Sequence, residues 1–140
     1  MLFRSGSLVL WRDVKQTLFL LHNADLAVNP SVSTLTPLLP HTSRVALVMA
    51  SGQLGGGSGN STRMAFLAGV GGSVDCADVR VAAASGETAY ANFEGFIRAD
   101  NTTGEFEAYR DNFTGAGGGP TFSARIYQRG YVEDTHATAF

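Results

Sequence analysis

A chain of 140 residues is long enough for one domain that buries roughly two-thirds of the surface its unfolded form exposes. A formal charge of −2 argues against affinity built on neutralising nucleic-acid phosphates, and a single cysteine, Cys76, excludes an internal disulfide. Charged residues make up 16% of the chain against about a quarter in ordinary globular domains, so more surface than usual is expected to be uncharged or covered by a partner.

At the start, Leu2-Phe3-Arg4-Ser5 is what the codons CTC TTC CGA TCT encode, a string found in sequencing adapters, so residues 1–6 are expected to be a non-native or truncated start. The apolar run Leu8–Trp11 is too short for a signal core. No stretch approaches the roughly 20 apolar residues that cross a bilayer, which predicts a soluble protein, or a soluble part of a particle, without membrane insertion. Ser7–Trp11 and Gln16–Leu21 read as two strands around the polar turn Arg12-Asp13-Val14-Lys15. Ser31–Ser43, with Pro37 and Pro40 among its leucines, reads as an ordered connector laid across the open end of a sandwich.

From Arg44 onward one cadence repeats, an alternating apolar run followed by a Gly-rich or Asn/Asp turn, as expected of antiparallel strands with one buried face. Arg44–Ala50 alternates cleanly; a glycine-rich loop over Ser51–Ser61 leads to Thr62–Val70, and Ala77–Ala84 carries small residues that imply close approach of another layer. A hairpin is predicted around Asp100-Asn101-Thr102-Thr103, with Arg98 facing Glu105, Ile97 facing Phe106 and Phe96 facing Glu107. After the glycine-rich Gly115–Pro120, the last strand is predicted over Phe122–Val132, with Phe122, Ala124 and Ile126 inward and Arg125, Tyr127, Arg129 and Tyr131 as an outward stripe. The expectation is all-β: an antiparallel β-sandwich, jelly-roll-like, of about eight strands, with residues 7–133 as a single domain and 134–140 as a tail.

No constellation of residues identifies a reaction. His22, His41 and His136 lie in separate segments without ligand spacing, and Cys76 has no Cys-x-x-Cys partner, so no metal site and no cofactor are expected. Cys76, beside Asp75 and Asp78, reads as a small buried residue. Glu105 and Glu107 share one strand face about 7 Å apart, a spacing glycosidase carboxylates also use, but ion pairing with arginines explains them more simply. The sharper feature is aromatic and basic. Phe96, Tyr109, Arg125, Tyr127, Arg129 and Tyr131 are placed on one polar face, a composition shared by protein interfaces, glycan sites and ordinary cation–π surfaces.

Leu38-Leu39-Pro40-His41-Thr42-Ser43-Arg44-Val45-Ala46-Leu47-Val48, a glycine-rich loop, Phe96-Ile97-Arg98-Ala99-Asp100, Thr103-Gly104-Glu105-Phe106-Glu107 and the closing Arg129-Gly130-Tyr131-Val132 follow one another in that order. Together they resemble the small β-sandwich domains of tailed-bacteriophage virion proteins, in tail fibres and related appendages, over roughly residues 23–133. That resemblance implies a non-enzymatic structural or adhesion module of a phage particle (tail fibre, appendage or capsid decoration) that assembles in the host cytoplasm. It also implies a homotrimer that contacts other virion proteins and a host surface, with a surface glycan as a further partner. A free carbohydrate-binding, lectin-like domain is the alternative, and a small β-barrel enzyme using Glu105 or Glu107 is a third reading.

Overall fold

The computed structural model describes residues 9–41, 43–55, 59–72, 75–84, 86–115 and 120–137. They form eight strands: β1 Val9–Ala24, β2 Ser33–Leu35, β3 Val45–Gly55, β4 Asn60–Leu67, β5 Asp75–Ala83, β6 Ala89–Arg98, β7 Phe106–Arg110 and β8 Thr121–Ala137. One antiparallel sheet has the order β1-β8-β3-β6 and the other β2-β7-β4-β5. Among these strands only β4 and β5 are both consecutive and in one sheet, while every other connection crosses between sheets. This is the jelly-roll order of a two-sheet sandwich.

The sandwich forms because alternate residues of each strand are apolar and meet those of the facing sheet. Ala46, Val48, Ala50 and Leu54 of β3, Ile97 of β6, and Phe122, Ala124 and Ile126 of β8 are buried against Met64 and Phe66 of β4, Val81 of β5, and Phe106 and Ala108 of β7. Phe66 stacks on Phe93 with ring centroids 5.0 Å apart, joining the two layers at their centre. Burying an aromatic side chain of this size contributes on the order of 2–3 kcal/mol.

One end of the sandwich is closed by the connector between β2 and β3. Leu35 and Pro37 are buried there, and Leu39 packs against the core while Leu38 points out. The fully buried Gln128 amide fixes this connector, accepting from the Leu38 amide at 2.7 Å and donating to the Leu38 carbonyl at 2.9 Å. Near the other edge of the second sheet, the buried Arg110 guanidinium meets Asp25 through two bonds of 2.6 and 2.9 Å and lies 4.3 Å from the centre of the Phe113 ring. A bidentate pair of this kind lets an arginine enter an apolar layer without an orphaned charge.

Several expectations change. The segment read as two strands is one strand, β1, because its partner β8 runs unbroken beside it and absorbs the polar residues 12–15 into the backbone ladder. That ladder continues through Ala137, so residues 134–137, expected to be a tail, are paired with β1. β3 extends to Gly55 and β4 begins at Asn60, which shortens the expected Ser51–Ser61 loop. The predicted β6–β7 hairpin does not form: β6 pairs with β3, whereas β7 pairs with β2 and β4 in the opposite sheet. Asp100–Thr103 is still a turn, in which Asp100 Oδ1 accepts the Thr102 and Thr103 amides, but it turns a corner between sheets. These amides hold the Asp100 carboxyl below its ordinary pKa. Cys76 is exposed instead of buried, since β5 turns Ala77, Val79 and Val81 inward and Cys76 outward, where its thiol donates to the Phe66 carbonyl. Residues 1–6 and 116–119, the latter within the predicted glycine-rich loop, lie outside the described residues.

Candidate functional site

The outer face of the first sheet is ordered in rows that the strand registers define. Phe96, Leu47 and Gly130 lie side by side in the first row; Glu94, Met49, Tyr127 and Leu20 in the second; Asn92, Ser51, Arg125 and Asn23 in the third; and Tyr90, Gln53 and Ser123 in the fourth. Side chains two residues apart on a strand share a face, so this pattern sorts the surface into two halves. Phe96, Leu47, Met49 and Leu20 make one half mainly apolar, bordered by the Glu94–Arg129 pair, and Asn92, Ser51, Arg125, Asn23 and Gln53 make the other polar, with Tyr127 at the border and Tyr90 at the far end.

The outer face of the second sheet is different, because the charged groups around Arg63 are paired with one another. Arg63 reaches Asp75 at 2.9 Å and Asp111 at 2.8 Å, and donates to the Tyr109 hydroxyl at 2.8 Å. Tyr109 in turn donates to Asp75 Oδ1 at 2.7 Å. Burial of the ring, followed by the Asp75 carboxylate, pushes the Tyr109 phenol up to about 12. Ala65 and Leu67 are buried beside it. Such a network orders the sheet and leaves its polar atoms engaged.

The six residues expected to share a face therefore separate. Phe96, Arg125 and Tyr127 do lie on the outer face of the first sheet. Tyr109 is on the second sheet, because β7 is not the partner of β6. Arg129 has no residue opposite it on β3, where the register shifts between Val48–Gln128 and Leu47–Gly130; its guanidinium sits 3.9 Å from Glu94 Oε2 and 4.0 Å from the Met49 sulfur. The same bulge moves Tyr131 opposite the buried Ala46 and so to the inner side of the sheet. The two carboxylates are also parted from their supposed partner: Arg98 lies opposite Val45, Glu105 accepts from Thr36 at 3.2 Å, and the buried Glu107 accepts the Gly71 amide at 3.0 Å.

Tyr90, Asn92, Ser51, Gln53 and Leu20 were not among the expected site residues. The signal for Tyr90 and Asn92 is the strict alternation of β6, which starts at Ala89 and turns Tyr90, Asn92, Glu94 and Phe96 outward in succession, and that for Ser51 and Gln53 is the same alternation carried on along β3. Among the described residues no group of three or more His, Cys, Asp or Glu side chains could hold a metal ion. No family model matches this chain, and no curated protein matches it.

Proposed function

We propose that this chain is a non-enzymatic structural or adhesion module of a bacteriophage particle, acting through contacts with other copies of itself and with a host surface. The observation that carries this reading is the unpartnered apolar half of the first sheet's outer face. Leu20 is 46% and Phe96 55% exposed, with Leu47 and Met49 between them, and Leu18 on the adjoining edge strand is 73% exposed. An exposed apolar patch rimmed by charged groups, here Glu94 and Arg129, marks a contact site on a small domain. The jelly-roll architecture, shared by viral capsid and lectin domains, and the virion-protein resemblance of residues 23–133 support placing that contact in a particle. In this reading the apolar half packs against neighbouring copies in a trimer.

Light scattering on the purified full chain tests the assembly. The expected result is a trimer that Leu20→Glu or Phe96→Glu converts to folded monomer; a wild-type chain that stays monomeric at every concentration overturns it. The genes flanking the coding sequence on a longer contig test the particle. Tail or capsid genes are expected there, and metabolic genes would overturn the assignment.

A further inference from the structure

The same face is concave where its apolar and polar halves meet. A depression of about 350 Å³ is lined by Met49, Ser51, Asn92, Glu94, Arg125 and Tyr127, and a second of about 130 Å³ adjoins it through Ser51 and Arg125 and continues to Gln53 and Tyr90. The larger one falls within the range of about 300–1,000 Å³ usual for small-molecule sites. The two form a groove across β6, β3 and β8 with an aromatic ring toward each end. Tyr90 is 65% exposed, and Tyr127 is half-buried.

Among the described residues, the side chains of Ser51, Gln53, Tyr90, Asn92, Arg125 and Tyr127 have no hydrogen-bond or ion-pair partner. That contrasts with the second sheet, where the Arg63 guanidinium is held by Asp75 and Asp111. Glu94, the carboxylate that also lines the groove, faces Arg129 at 3.9 Å, which leaves Arg125 as the cation without an anion at the groove's centre. An aromatic ring offers a face to a sugar ring, short amides and hydroxyls match sugar hydroxyls, and a guanidinium matches a carboxylate with two parallel bonds.

We infer that this groove binds an oligosaccharide bearing a carboxylate, with Arg125 holding the carboxylate, Tyr127 and Tyr90 stacking on sugar rings, and Ser51, Gln53 and Asn92 bonding the hydroxyls. The inference rests on the adhesion part of the proposed function and supplies its ligand class. Self-association uses the apolar half, which meets the groove at Met49 and Tyr127; Arg125, Ser51, Gln53, Asn92 and Tyr90 lie outside it.

A glycan array carrying uronate- and sialate-bearing oligosaccharides, their methyl esters and their neutral parents, probed with the full chain, tests it. Retention of carboxylate-bearing glycans is expected, about tenfold or more weaker for the ester and for Arg125→Ala, the loss that one charge-assisted pair carries. Tyr127→Ala is expected to weaken binding of acid and ester alike. Arg125 is exposed, so its variant should retain the thermal midpoint of the wild type. No retention of any acidic glycan, equal retention of acid and ester, or unchanged affinity in Arg125→Ala would each overturn the assignment. A trimer that binds no glycan would sink the groove and leave the structural module standing. A glycan-binding monomer would do the reverse.

Discussion

The Tyr109 hydroxyl donates a hydrogen bond to Asp75 Oδ1 at 2.7 Å while accepting one from Arg63, so one phenol links an anion on β5 to a cation on β4. Removing it in Tyr109→Phe breaks hydrogen bonds to two charged groups, a loss of about 1.5–3 kcal/mol when the partners are shut off from water. Here Arg63 and Asp75 keep 32% and 27% of their side-chain surface accessible, so water replaces part of the loss. The expected destabilisation is about 1 kcal/mol, read as a lower urea midpoint at unchanged slope. An unmoved midpoint would mean that the hydroxyl adds nothing to the Arg63–Asp75 pair.

The same phenol gives a pH dependence with a definite sign. Its folded pKa of about 12 lies above the ordinary tyrosine value of about 10, because burial and Asp75 disfavour the phenolate. A raised acid pKa means that the folded state holds its proton longer than the unfolded state. The associated stability is therefore complete below pH ~10 and is lost as pH climbs from ~10 through ~12. Phenolate absorbance should show one tyrosine titrating near 12 in the wild type and none there in Tyr109→Phe, whose stability should fall less steeply across that window.

How much of this was legible in the sequence differs between layers. Alternation alone identified the inward residues Phe122, Ala124 and Ile126 of β8, whereas on β3 it separated Val45, Leu47 and Met49 from Ala46 and Val48 without telling which set is buried, and the smaller residues Ala46 and Val48 are the inward ones. Alternation carries no information on which strand lies next to which. Ile97 and Phe106 are both buried, as a hairpin would require, yet they belong to opposite sheets, and an Asx turn at Asp100 serves a corner as well as a hairpin. Tyr131 was misplaced because a bulge inserts one residue without a composition signature, shifting every later side chain to the other face. The groove was partly visible through Arg125 and Tyr127. Its other wall, Tyr90 and Asn92, became apparent only with β6 seated beside β3.

Gly95 is set by the aromatic stack. A Cβ there would lie 2.7 Å from the Phe93 ring tip and 3.2 Å from a second ring carbon, and that ring cannot move freely because it is stacked on Phe66. Gly95→Ala is expected to cost about 1–3 kcal/mol through overpacking and to displace the stack, lowering the near-ultraviolet circular dichroism of the aromatic core. Phe93→Leu, which shortens the obstructing ring, should recover part of that loss when combined with Gly95→Ala. Strict additivity of the two changes would show that the glycine is not required by the ring.

The Gln128 amide offers the most discriminating test of how the sandwich end is closed. It is buried inside an otherwise apolar layer and satisfies both the amide and the carbonyl of Leu38, with a third bond to the Gly130 carbonyl at 3.2 Å. Gln128→Leu preserves volume but orphans the Leu38 backbone groups, each costing about 1–3 kcal/mol if it stays buried. Because Leu38 lies on an outer connector, its backbone can swing to water, and the net loss should settle at about 2 kcal/mol. Hydrogen exchange locates it: protection at the Leu38 amide should vanish in Gln128→Leu, whereas the Ile97 amide on β6 of the same sheet as Gln128 should change only with global stability. Leu38→Ala separates the backbone role from the side chain. Its side chain is 55% exposed, so truncation should cost less than about 0.5 kcal/mol and leave its own amide protected. If Leu38→Ala were as damaging as Gln128→Leu, the connector would be held by apolar contact and the buried amide would be incidental to it.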